Sequence, residues 1–147
     1  MPNKPPLYKQ ETKYSCAPAC LRMVLAYFGI LETEEKLIGL SDCMLDGTRP
    51  LGLIDAAKNY GFKETRKYNQ LTLDDLKYII EQRLYPIVYV GVRLSPLIRP
   101  EKHAMVVVAI DENSVEVLDP LRGDIVFSHE EFESEWINTD RLTIVVK

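Results

Sequence analysis

The sequence predicts an α+β fold, because helical periodicity fills its first half and strand-like runs fill most of its second. Leu21, Val24, Leu25 and Phe28 recur at helical spacing, and so do Leu53, Ile54, Ala57 and Tyr60, as in helices that bury one face. From Pro86 the apolar residues gather instead in short β-branched runs: Pro86 to Val92, Ala104 to Ile110, Val115 to Leu118, Asp124 to Phe127 and Leu142 to Val146. Such runs have strand length and strand composition. Helices first and strands afterwards are segregated rather than alternating, which distinguishes α+β from α/β chains.

Taken in order, the Pro-rich opening to Pro6 reads as an extended arm, since proline fixes φ and donates no hydrogen bond. Ser15 is a suitable N-cap for a helix over Cys16 to Phe28, with Pro18 tolerated in the first turn and Gly29 closing the element. Thr33 caps a short second helix through Leu40, and Ser41 to Thr48 reads as a loop. A third helix spans Pro50 to Tyr60, with Gly61 just beyond it. Phe62 to Tyr68 alternates loosely and is a candidate short strand. Thr72-Leu-Asp-Asp75 resembles a capping box, and Leu73, Leu76, Ile79, Ile80 and Leu84 form the apolar stripe of a fourth helix. Ser128-His-Glu-Glu131 is a second capping box, opening a last helix through Trp136, the only tryptophan, which suits a packing anchor. His129 falls on the surface side of that box.

The chain has 147 residues, 46% of them hydrophobic, enough to bury the core of one domain. Residues 1–147 are accordingly expected to form a single domain, with 1–6 as its arm. A formal charge of −4 provides no general attraction for nucleic acid or an anionic membrane, so peptides or proteins are the expected partners. No apolar run approaches the roughly 20 residues of a membrane helix, and the opening residues lack the apolar centre of a signal peptide. The expectation is a cytoplasmic protein that does not itself span a membrane. Three cysteines, an odd number, suit free thiols better than a disulfide framework.

Cys16 stands at a helix start, six residues after Gln10 in the run Gln10-Glu-Thr-Lys-Tyr-Ser-Cys16-Ala-Pro-Ala-Cys20. A thiol there meets the positive end of the helix dipole and unpaired N–H groups, which favour the nucleophilic thiolate. One of two histidines, His103, precedes an apolar strand and is followed sixteen residues later by Asp119. Cysteine, histidine and aspartate in this order suggest a thiol hydrolase that needs no metal or organic cofactor. A competing zinc set of Cys16, Cys20, Cys43 and a histidine is disfavoured, because structural zinc sites usually draw paired ligands from short knuckles.

The hairpin between Ala104–Ile110 and Val115–Leu118 tests the pair. If Ile110 opposes Val115 throughout, His103 and Asp119 point to opposite faces of the sheet. An odd loop or a bulge is therefore required. A three-residue loop Asp111-Glu-Asn113, with Asn113 left-handed, would set Asp119 opposite Met105 and make His103 and Asp119 diagonal neighbours.

Four segments in order, Gln10 to Cys20, Asp46-Gly-Thr-Arg-Pro-Leu-Gly to Phe62, His103 before its strand, and Asp119-Pro120, resemble the bacteriocin-processing cysteine peptidases. The resemblance runs from about Leu7 to Val146. It implies a papain-like fold, N-terminal helices packed on a C-terminal antiparallel sheet, that cuts leader peptides after a double glycine. By this resemblance Cys16 is the nucleophile, His103 the base, Asp119 the acid that orients it and Gln10 the oxyanion donor. Family members usually carry Asp before the cysteine and Gly after it, where this chain has Ser15 and Ala17. They are often fused to a membrane transporter, and without such spans or a phosphate-binding loop this chain would need a separate one. Two other functions use the same scaffold: a peptide-binding module that does not cleave, and acyl transfer to an amine in place of water.

Overall fold

A computed structural model describes residues 3–93 and 95–147. Positions 1 and 2 of the expected arm lie outside them. Helix α1 (Cys16–Tyr27) ends at Phe28, where Gly29 takes φ +86, a left-handed turn that glycine makes without steric cost. Helix α2 (Glu34–Leu40) is capped by Thr33, whose hydroxyl accepts from Lys36 N–H at 3.2 Å. Helix α3 (Pro50–Asn59) begins on its proline, in the first turn, where a missing N–H costs no intrahelical bond.

Strand β1 is confined to Arg66–Tyr68, shorter than the expected Phe62–Tyr68. Residues 62–65 turn instead, Thr65 N–H donating to Phe62 O at 3.3 Å, and the Phe62 ring packs 5.0 Å from that of Phe28. Burial of the ring in the helical layer outweighs the weak alternation. Helix α4 (Leu73–Glu81) has the complete Thr72–Asp75 capping box. It stops short of Leu84 because Arg83 adopts φ +62, with Arg83 N–H and Leu84 N–H closing back on Ile80 O and Ile79 O. The remaining elements are β2 (Ile87–Val92), β3 (Glu101–Ile110), β4 (Ser114–Asp119), β5 (Gly123–Ser128), α5 (His129–Trp136), a 3₁₀ turn (Ile137–Thr139) and β6 (Thr143–Val145).

The six strands form one antiparallel sheet in the order β1-β6-β2-β3-β4-β5. At its centre, in β2 and β3, both faces are covered. Ile87, Tyr89, Ala104 and Val106 pack with Leu21, Leu25 and Leu53 of α1 and α3. Val88, Val90, Met105 and Val107 pack with Leu76 of α4 and with Phe132 and Trp136 of α5. Burial on both faces explains why these strands read as continuous apolar runs rather than alternating ones. The expected layer of N-terminal helices on a sheet is thus half of the arrangement, since α4 and α5 form a third layer.

The β3–β4 register resolves the hairpin question by the second of the two expected devices, a bulge, and not by the three-residue loop. Next to the turn Ile110 pairs with Val115, and Asn113 has no positive φ. Asp111 closes the turn instead, its Oδ1 accepting from Asn113 N–H at 2.8 Å and Ser114 N–H at 2.7 Å. A bulge then leaves Val108 without a partner, and beyond it Val107 pairs with Val117 and Val106 with Leu118. Continuing that register sets Asp119 opposite Met105. The extra residue also resets the pleat, so that the face carrying Met105 and Val107 continues at Ile110.

Candidate active site

Cys16 is the first residue of α1 and is half-buried. Ser15 precedes it at φ −100, ψ 30, and does not supply the expected side-chain cap. Its hydroxyl is drawn away to the Glu34 carboxylate at 2.9 Å, and it accepts from Thr12 N–H at 3.1 Å. Pro18 has no N–H to offer, so the uncapped first turn leaves the N–H groups of Cys16 and Ala17 directed outward. A helix start of this kind attracts developing negative charge.

His103 lies inside β3, paired with Val90 of β2, two residues further into the sheet than its strand-edge pattern suggested. It is 8% exposed. Its Nε2 lies 2.6 Å from Asp119 Oδ1, which leaves Nδ1 for Cys16. Burial opposes a charged ring here, but the hydrogen bonds and charges of Asp119 and Cys16 outweigh it and raise the pKa of His103 to about 9. The ring is therefore an imidazolium at neutral pH, donating from Nε2 to the carboxylate.

Asp119 is the last residue of β4 and is fully buried. Burial resists its ionisation, yet His103, Arg122 and the Leu121 N–H together hold the carboxyl well below the usual carboxylate range. Oδ1 accepts from Leu121 N–H at 2.7 Å and Arg122 N–H at 3.1 Å, while Oδ2 accepts from Arg122 Nε at 2.6 Å. This turn is tight because Gly123 follows it at φ +97, a conformation costly for residues with a Cβ. Arg122 was not singled out from the sequence. Its signal was the Asp-x-x-Arg spacing across a turn, which lets a side chain fold back on the carboxylate.

Gln10 is held beside this turn, its N–H donating to Pro120 O at 2.9 Å. One side-chain N–H bonds to Thr12 O at 2.8 Å, and a primary amide retains a second donor. Gln10, Cys16 and His103 line one cleft of about 610 Å³, walled also by Tyr14, Asp46 and Gly47. Glu34, another residue missed in the sequence, is buried and ties Glu11 to Ser15, at either end of the segment that leads from Gln10 to Cys16. Its Oε2 accepts from Glu11 N–H at 2.7 Å as well as from Ser15.

The other candidates fall elsewhere. Cys20 faces the core from within α1, and the Cys43 thiol donates to Tyr14 O at 3.4 Å. Among the described residues no three His, Cys, Asp or Glu side chains are grouped to hold a metal ion. His129 bonds to Asp111 O at 2.7 Å, away from the cleft, and Trp136 is fully buried as an anchor of the second core. No helix of the described residues is long and apolar enough to cross a membrane.

Residues 4–145 match the peptidase C39 family. The chain is 27% identical over 138 residues to the lactococcin-G-processing and transport ATP-binding protein LagD of Lactococcus lactis subsp. lactis, covering 88% of this chain and 17% of that protein. It is 30% identical over 129 residues to the transport/processing ATP-binding protein ComA of Streptococcus pneumoniae, covering 86% of this chain and again 17% of the relative. The chain thus spans about a sixth of the length of these two relatives. Among solved structures, the peptidase domain of Streptococcus ComA superposes with a TM-score of 0.74 at 26% identity, covering 95% of this chain and 96% of that one. A C39-like peptidase structure from Bacillus anthracis shares the fold, with a TM-score of 0.82 at 17% identity over 99% of this chain and 95% of that one.

Proposed function

Because the chain belongs to the peptidase C39 family, we propose that it cleaves peptide bonds through Cys16, with His103, Asp119 and Gln10 in the roles of base, orienting acid and oxyanion donor. The observation that carries this reading is the 2.6 Å His103–Asp119 hydrogen bond in a cleft that also holds Cys16 and Gln10. Cys16 and His103 work as a thiolate–imidazolium pair. Sulfur attacks the scissile carbonyl, and the oxyanion that forms accepts from Cys16 N–H and the free N–H of the Gln10 amide. The His103 proton passes to the departing amine as the carbon–nitrogen bond breaks, leaving a thioester on Cys16. Water, deprotonated by the now neutral ring, attacks the thioester and releases the acid, with sulfur leaving as thiolate so that the thiolate–imidazolium pair is restored. Asp119 holds the ring throughout by its bond to Nε2.

The substrate is a leader peptide cut after a pair of glycines, and the setting is the cytoplasmic side of a membrane transporter. The names of LagD and ComA, a processing-and-transport protein for lactococcin G and a transport/processing protein, support the coupling of processing to transport, while the glycine pair follows from the family resemblance of the four sequence segments. A fluorogenic peptide ending in Gly-Gly before the reporter tests it against its Ala-Ala counterpart. Turnover of the first, lost in Cys16→Ala, is the expected result. Binding of the Gly-Gly peptide with no turnover by the parent chain would instead make this a peptide-binding module.

A further inference from the structure

Resting on the catalytic reading above, we infer that Arg122, anchored at its far end by Glu135, is the positioning residue that fixes the orientation of Asp119 toward His103. The four contacts of the Asp119 carboxylate divide unequally. Among the described residues, Oδ1 receives His103 Nε2 and two backbone N–H groups, whereas Oδ2 receives only Arg122 Nε at 2.6 Å. Beside the two backbone N–H groups, the guanidinium is therefore the side chain among them that opposes rotation of the carboxylate away from the imidazole.

Arg122 is itself held on three sides. Its NH1 and NH2 donate to the two oxygens of Glu135 at 3.3 and 3.0 Å, NH2 also lies 3.4 Å from Met105 Sδ, and the group lies over the Phe127 ring at 5.3 Å. A planar fork that binds one carboxylate through Nε and another through its two ends has a defined plane. Glu135 lies on α5, which also contributes Phe132 and Trp136 to the second core. The chain Glu135, Arg122, Asp119, His103, Cys16 thus ties a helix on one face of the sheet to the start of a helix on the other.

Arg122 also borders the cleft, so the test must separate holding Asp119 from touching substrate. Parent, Arg122→Gln, Arg122→Lys and Glu135→Gln are compared on the Gly-Gly fluorogenic peptide, with Cys16→Ala and Asp119→Asn as controls. A misoriented base costs kcat on the order of 10²-fold, so Arg122→Gln should fall by about that much with KM within about twofold of the parent. Glu135→Gln should lower the same parameter by less, and free guanidinium ion should restore part of the Arg122→Gln loss. Parental kcat in both variants, or a loss confined to KM, overturns the assignment while leaving the Cys16 reading intact. Should Arg122→Gln fail to fold, Glu135→Gln decides alone. Turnover that survives Cys16→Ala overturns the catalytic reading and this inference with it.

Discussion

His103 Nε2 and Asp119 Oδ1 meet at 2.6 Å across a register that changes once between the turn and the site. Near the turn Ile110 faces Val115, a pairing that, if continued, would separate the two side chains onto opposite faces. The unpartnered Val108 shifts the ladder by one residue and brings them to the same face. One extra residue in β3 therefore decides whether this histidine has a carboxylate.

Replacing Cys16 by alanine should lower kcat/KM on the Gly-Gly peptide by about 10⁴-fold or more, as for other covalent nucleophiles. In the parent, iodoacetamide near pH 6 should alkylate Cys16 ahead of Cys20 and Cys43, as mass spectrometry of tryptic peptides would record. Cys20 is fully buried, and burial pushes its thiol well above the ordinary range, so equal labelling would remove the basis for an activated pair.

His103 should titrate with a midpoint of about 9 when its ring protons are followed by NMR. Asp119→Asn should lower that midpoint, because it removes the charge opposite the ring. Since His103 holds its proton more tightly folded than unfolded, its contribution to stability is complete below the unfolded value of roughly 6.5 and lost as pH rises through about 9. Asp119 works in the other direction. Its carboxyl is held low, so its contribution is present above the ordinary value of roughly 3.9 and lost as the pH falls below it. Urea unfolding from pH 5 to 10 should show the alkaline decline, and Asp119→Asn should flatten it.

Gln10→Ala should lower kcat on the order of 10²- to 10³-fold, as expected for one lost oxyanion donor, with KM little changed. A loss confined to KM in steady-state kinetics would mean that Gln10 binds substrate rather than the oxyanion.

Phe132→Ala should destabilise the protein by about 3–5 kcal/mol, as for a fully buried ring whose removal leaves a cavity. Phe132 is fully buried between Phe127 and Trp136, its centroid 6.3 and 5.3 Å from theirs. Urea denaturation measures the loss. Phe132→Leu should cost less, since most of the volume remains.

Several elements were legible because their causes are local. The Ser128–Glu131 box and α5 occur as expected, since a capping hydroxyl and its reciprocal carboxylate need only four residues. Helices α1 to α3 lie within a residue or so of the expected spans because their apolar spacing and their terminal Pro and Gly residues are local signals too. Ser15 does not cap α1, because its hydroxyl is claimed by Glu34, nineteen residues on, a competition that no local pattern reveals. Arg122 and Glu135 escaped notice likewise: thirteen residues separate them, and only folding brings helix α5 against the turn.

By itself the sequence determined the helix starts, the approximate positions of the strands, a cysteine at a helix N-terminus and the order in which a histidine and an aspartate follow it, all of which are read from periodicity and residue chemistry within short windows. Tertiary structure alone decided that the register changes by a bulge at Val108 rather than by an odd loop, and it alone decided the two-faced burial of the central strands and the Glu135–Arg122–Asp119–His103 connection. The physical reason is that an apolar run such as Ala104 to Ile110, buried on both faces, carries no alternation to mark its register. Register then depends on how β4 and the covering helices pack against it, and it sets which side of the sheet His103 and Asp119 share.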